Sequence, residues 1–258
     1  MVVIIDDRII KAYIDEKDVS QYKGHWIYHC FGGDSVFETP DPKHRGWVSK
    51  LYEKIKDQIE HFVPRNYEMV KSIFPHFDRI ADTYTILLVV GFPDPYDAMV
   101  LEHNGKSYMV FDLIQFQEDS LNEDYSCHRV LTHEMIHLCL MEEYPPPNPM
   151  TYLNDLNYTA FNEGFAYALT YPEDITRFVF DDTLESRFEA AKTTLRLAVR
   201  KTDVTKQAVY LHEADTGSYW DKFAAMAGKL YILKNIQNAE KIYRSGWKGF
   251  AEHILSEK

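Results

Sequence analysis

The chain is 258 residues long, 45% hydrophobic, and carries a formal charge of −12 at pH 7. That length buries a full core, as one large domain or two packed lobes. With no apolar run of roughly 18 residues it offers no membrane-spanning helix. Its acid excess, without a Lys/Arg cluster interleaved with aromatics, argues against nucleic acid, because neutralising phosphates takes concentrated positive charge.

The start, Met1-Val2-Val3-Ile4-Ile5-Asp6-Asp7-Arg8, has an apolar run too short for a signal peptide and no Lys or Arg ahead of it. The expectation is an intracellular, cytoplasmic protein. Cys30, Cys127 and Cys139 are odd in number and lack CxxC spacing, which fits reduced thiols. Short β-like runs at Val2–Ile5 and Trp26–Phe31 are punctuated by Gly32-Gly33 and Pro40-Asp41-Pro42 turns. A helix is expected over Trp47–Phe62, with Val48, Leu51, Ile55, Ile59 and Phe62 on one face. A second follows over Pro64–Phe74, with Pro64 in its first turn.

The period then changes. Thr83–Gly91 reads as a buried strand, and Met99–His103 and Lys106–Leu113 flank Asn104-Gly105, the strongest short hairpin signal. Lys106–Leu113 is the candidate edge strand for aligning an extended peptide by main-chain hydrogen bonds; the alternative is sheet core.

Thr132-His133-Glu134-Met135-Ile136-His137 carries the most chemistry. On a helix, His133 and His137 stand about 40° apart and one turn apart, so both imidazoles reach one ion. Glu134, offset by about 100°, is placed to act on a water rather than to ligate. Chance alone puts H-E-x-x-H in roughly 3% of shuffled chains of this composition, so context decides. Ser120-Leu121-Asn122-Glu123 has the form of a capping box. Val130, Leu131, Met135, Ile136, Leu138 and Leu140 make a wide apolar stripe, and Pro145-Pro146-Pro147 stops the helix near Glu143. The bland alternative is a metal-free core helix. Cys127-His128, just upstream, reads as structural.

A second helix is expected from about 151 to 170, with Leu153, Leu156, Phe161, Phe165 and Leu169 on its repeat and Pro172 closing it. Glu163 falls in its middle and can supply a third ligand. Two His and a carboxylate with an open fourth position form a catalytic zinc set, one ion per chain. Gly164 in a helix interior marks a close approach, expected to be to the HExxH helix. Helices then follow at Asp174–Phe180, Thr183–Arg200, Tyr219–Ile236 and Ala239–Ser256.

His133-Glu134-x-x-His137 with the downstream Asn162-Glu163-Gly164-Phe165-Ala166 resembles the gluzincins, zinc peptidases whose third ligand is a helical Glu. The likeness is nearest their aminopeptidase branch and small bacterial predicted zinc proteases, and spans about Thr85 to Leu169. It implies zinc on His133, His137 and Glu163, with Glu134 as general base. Two departures stand out. The Gly-x-Met-Glu-Asn segment that recognises a free amino terminus is absent, and the position four after Glu163, often acidic in relatives, is Tyr167. Related enzymes place an oxyanion-stabilising residue several dozen positions after the Glu ligand. Tyr219 is the first choice, ahead of Tyr231 and His212.

The expected fold is α+β: residues 1–144 form a mixed lobe with a small sheet and the HExxH helix, and residues 145–258 form a helical lobe. Zinc is expected at the floor of the cleft between them. The expected activity is hydrolysis of a peptide or protein substrate by zinc-activated water, with Glu134 as base. The alternative is a non-proteolytic zinc-binding protein of the same fold.

Overall fold

The structure is a computed structural model describing residues 3–82, 84–116, 127–171 and 174–257. The chain divides into two compact units, residues 1–64 with 76–138, and residues 65–75 with 139–258. Among the described residues no helix is long and apolar enough to cross a membrane.

The first unit is mixed α and β. Among its described residues four strands, β1 (Ile4–Asp6), β2 (Thr85–Val89), β3 (Ala98–His103) and β4 (Lys106–Asp112), stand in the order β1-β2-β4-β3. β1 and β4 run parallel to β2, and β3 runs antiparallel to β4. Ile86, Leu87, Leu88 and Val89 of β2 are all buried, as a continuous apolar run in an internal strand should be. At the hairpin tip His103 faces Lys106, and Asn104 and Gly105 take φ of 51° and 69°. Two positive φ values in succession make the turn whose twist matches the flanking strands.

The strand order corrects one expectation. Lys106–Asp112 is flanked by β2 and β3, so it is internal; β1 and β3 are the edges. Its Met109, Val110 and Phe111 are buried accordingly.

Helix α1 (Arg8–Ile14) buries Ile9, Ile10 and Tyr13 and packs on β2 and on α2 (Arg45–Glu60). The expected stripe of α2, Val48, Leu51, Ile55 and Ile59, is buried. Trp26–Phe31, expected as β-like, is instead a 3-10 turn over Trp26–His29. Its neighbours Ile27 and Tyr28 are both buried, which a strand with one wet face forbids. The Tyr28 hydroxyl donates to the Val90 carbonyl at 2.5 Å, so tertiary bonding overrides β propensity here.

Helix α5 (Cys127–Glu143) ends ahead of the three prolines as expected, with Leu131, Met135, Ile136 and Leu140 buried. The capping box at Ser120 to Glu123 lies outside the described residues. The division between the units falls within α5, after Leu138.

The second unit is helical among its described residues: α3 (Tyr67–Ile73), the end of α5, α6 (Tyr152–Leu169), α7 (Asp182–Val199), α8 (Val204–Asp215), α9 (Phe223–Lys234), α10 (Ala239–Ser245) and α11 (Phe250–Ser256). In the first unit, α4 (Phe77–Ala81) completes the set. α6 begins at Thr151, whose hydroxyl accepts from the Asn154 amide, and Pro172 lies outside the described residues. α9 is buried nearly all round, as its largely apolar sequence requires, and packs on α6, α7 and α8.

Two expectations fail here for local reasons, and one helix is additional to those expected. Asp174–Phe180 holds only one 3-10 turn, Ile175–Arg177, because Asp174 bonds the Thr176 amide and the Ile175 amide is tied to Asn66. Ala239–Ser256 is two helices, broken where Gly246 and Gly249 take φ of 72° and 73°. α8 was not anticipated: it buries only Ala214, so its apolar pattern is weak, and Asp203 defines its start by accepting from the Lys206 amide.

Candidate metal centre

His133, Glu134 and His137 lie in the part of α5 that belongs to the first unit. The one-turn spacing turns both imidazoles to one side. Their Nε2 atoms are 2.9 Å apart, with the ring planes crossed at 81°. One donor atom from each of the three residues falls within 4.8 Å of the others, close enough to hold a metal ion. Glu134 is 4% exposed and His137 9%. Leu131 and Met135, about 160° round the helix from His133, are buried and hold the opposite face of α5 in the core.

The donor set fits an ion. Two nitrogens on tetrahedral zinc at about 2.0–2.1 Å stand roughly 3.3 Å apart, a small opening from the spacing seen. With both rings protonated at Nδ1, both Nε2 atoms carry lone pairs and can ligate; with one ring protonated at Nε2, the pair forms a hydrogen bond instead. Cys127 is buried, which pushes its thiol pKa up, and the His128 ring packs 5.5 Å from Phe62. Neither joins the cluster.

Glu163 and Tyr167, one turn apart on α6, are the half-buried positions among the otherwise buried residues 160–170. The Glu163 charge acts on two neighbours within the second unit. Burial, then Glu163, pushes the Tyr158 phenol up to about 12. Asp215, at the end of α8, is pushed up to about 6 by surrounding protein and then by Glu163, with Lys222 pulling the other way.

Gly164 does mark a close approach, but the partner is α9 and not the HExxH helix. A Cβ on Gly164 would stand 2.8 Å from the Gly228 carbonyl carbon and 3.1 Å from the Lys229 amide nitrogen.

The two tyrosine candidates for the oxyanion separate by face of α6. The Tyr219 ring meets Tyr167 edge-on at 5.5 Å, on the side that carries Glu163. Tyr231 packs 5.5 Å from Phe250, which packs on Phe161, about half a turn round α6 from Glu163. His212 lies exposed on α8.

Sequence reasoning passed over Lys229. It is 8% exposed, and its Nζ donates to the Tyr219 hydroxyl. The available signal was a single Lys inside the apolar run Phe223-Ala224-Ala225-Met226-Ala227-Gly228-Lys229-Leu230. Such a charge is costly to bury unless it is placed for a partner.

Comparison with protein-family models, with curated proteins and with solved structures finds no match to this chain.

Proposed function

We propose that the chain is a zinc-dependent metallopeptidase of the gluzincin type, acting on a peptide or protein substrate. The observation that carries the reading is the convergence of the His133 and His137 Nε2 atoms, with the Glu134 carboxylate beside them. His133, His137 and Glu163 would hold one zinc ion, Glu163 entering on its Asn162-Glu163-Gly164-Phe165-Ala166 motif. Zinc so bound supplies Lewis acidity toward an amide carbonyl and toward water.

The protein's own groups do the rest. Glu134 accepts the proton of the attacking water on a carboxylate oxygen and delivers it to the leaving amine nitrogen. Its burial supports that role, because proton transfer and charge stabilisation act more strongly away from bulk water. Tyr219 is the candidate donor to the oxyanion forming on the substrate carbonyl, supported by its place on the Glu163 side of α6.

The test is mass-spectrometric profiling of products from a mixed peptide library, with the zinc-loaded chain and with chelator. The reading predicts defined cleavages that vanish with chelator and return with zinc. Tight zinc binding without any cleavage would select the non-proteolytic alternative.

A further inference from the structure

A cluster wholly within the second unit shows how Tyr219, a loop residue, is held in one orientation. Its ring is wedged between Tyr167 at 5.5 Å and Trp220 at 5.1 Å, each nearly perpendicular to it. Lys229 Nζ donates to the Tyr219 hydroxyl and sits 4.9 Å over the Tyr219 ring and 5.4 Å over the Trp220 ring. Trp220 is in turn capped by the Arg187 guanidinium at 4.1 Å, and the Tyr167 hydroxyl accepts from Lys222 at 3.0 Å. Tyr219 as a residue is nevertheless 36% exposed.

The position of Lys229 follows from the backbone. Gly164 and Gly228 let α6 and α9 touch, and Lys229 follows Gly228 just as Gly164 follows Glu163. The crossing therefore brings the start of the Lys229 side chain beside the Glu163 turn of α6.

We propose that Lys229 is a positioning residue that holds the Tyr219 phenol as a charge-polarised hydrogen-bond donor on the Glu163 side of α6. A phenol oxygen that accepts from an ammonium must turn its own O–H elsewhere, and that O–H becomes a stronger donor. No proton leaves the phenol; it donates a hydrogen bond to an anion. That the anion is the substrate oxyanion rests on the peptidase reading, whereas the polarisation does not. Among the described residues, the charged groups seen packed about this cluster are Lys229 from α9, Arg187 of α7 on Trp220, and Lys222 on Tyr167.

The experiment has two arms on the full-length chain. The first needs no turnover. The ultraviolet ionisation difference between the chain and its Tyr219→Phe form isolates this phenol among 18 tyrosines. It is repeated in Lys229→Met and Lys229→Arg backgrounds, with Lys229→Gln used where Met does not fold. Tyr219 should be at least about tenfold more acidic with Lys or Arg at 229 than with the neutral residue. Equal acidity overturns the proposal.

The second arm follows peptide turnover. Lys229→Met should lower kcat about 10–100-fold with KM nearly unchanged, Lys229→Arg should restore most of it, and Lys229→Met should add nothing once Tyr219 is Phe. Additive losses overturn the proposal, as does a Met variant as active as Arg, since a packing role is met by either. An absence of turnover in the unaltered chain defeats the peptidase reading alone; the ionisation arm still decides the role of Lys229.

Discussion

Gly164 of α6 and Gly228 of α9 cross in backbone contact, with Gly228 so close that a Cβ there would overlap the Ala160 carbonyl oxygen. Neither glycine takes a positive φ, so neither is needed for backbone freedom. Each is needed for room. The contact sets the spacing between the helix carrying Glu163 and the helix carrying Lys229, and so the position of every side chain proposed to act in the second unit.

Gly228→Ala should therefore destabilise the chain. Overpacking costs about 1–3 kcal/mol, against a gain of about 1 kcal/mol in helix propensity. We expect a net loss of up to about 2 kcal/mol and a fall in Tm of up to about 8 °C, read by circular dichroism. Gly164→Ala, which meets carbon at 2.8 Å rather than a carbonyl oxygen, should cost less. A rise in Tm for Gly228→Ala would contradict the packing account.

The parts of this architecture legible in the sequence are those with a local signal. Asn104-Gly105 marks a turn because two positive φ values are needed there, and His133 and His137 mark a shared face because helical spacing alone places them. Sheet order is not local: the hairpin signal pairs Lys106–Asp112 with β3, but nothing in the strand says that β2 would flank its other side. Trp26–His29 carries residues suited to a strand, yet the Tyr28 hydroxyl binds the Val90 carbonyl and the run curls into a turn. Gly164 announced a close approach without naming the partner, since a missing side chain suits any helix that crosses there. Lys229 looked like one lysine among many until its burial under Tyr219 and Trp220 was seen.

Asn66 should be the most sensitive position outside the glycine crossing. It sits in the left-handed region at φ 52°, donates from Nδ2 to the Leu169 and Tyr171 carbonyls at 3.1 Å each, and accepts from the Ile175 amide at 3.0 Å. Asn66→Ala loses all three bonds and strains the backbone, for an expected cost of about 2–4 kcal/mol in denaturant unfolding. Asn66→Gly, which relieves the strain alone, should be the milder of the two.

Asp112 predicts a pH dependence of stability. Its carboxylate accepts from the Phe92 amide at 2.6 Å and the Ile114 amide at 3.0 Å, yet complete burial pushes its pKa up to about 7. A carboxyl with a raised folded pKa holds its proton longer in the folded chain. Its stabilising contribution is full below about pH 4 and is lost as pH rises to about 7. The stability of the chain relative to Asp112→Asn should fall between about pH 4 and pH 7. A relative stability that rises with pH instead would mean that the amides, not burial, govern this carboxyl.

Metal analysis should find one zinc per chain, strongly reduced in His133→Ala, His137→Ala and Glu163→Ala. Full occupancy in all three variants would rule out the ligand set. The chain has core enough to fold without the ion, so chelation should abolish turnover while leaving the helical circular-dichroism signal largely intact.

The most direct measurement is the turnover of Glu134→Gln at unchanged zinc content. Gln keeps the shape of Glu and removes the base, so fold and metal should persist, KM should move little, and kcat should fall by at least about 10²–10⁴-fold. Cleavage within about tenfold of the unaltered chain would place the activity elsewhere and contradict the peptidase reading.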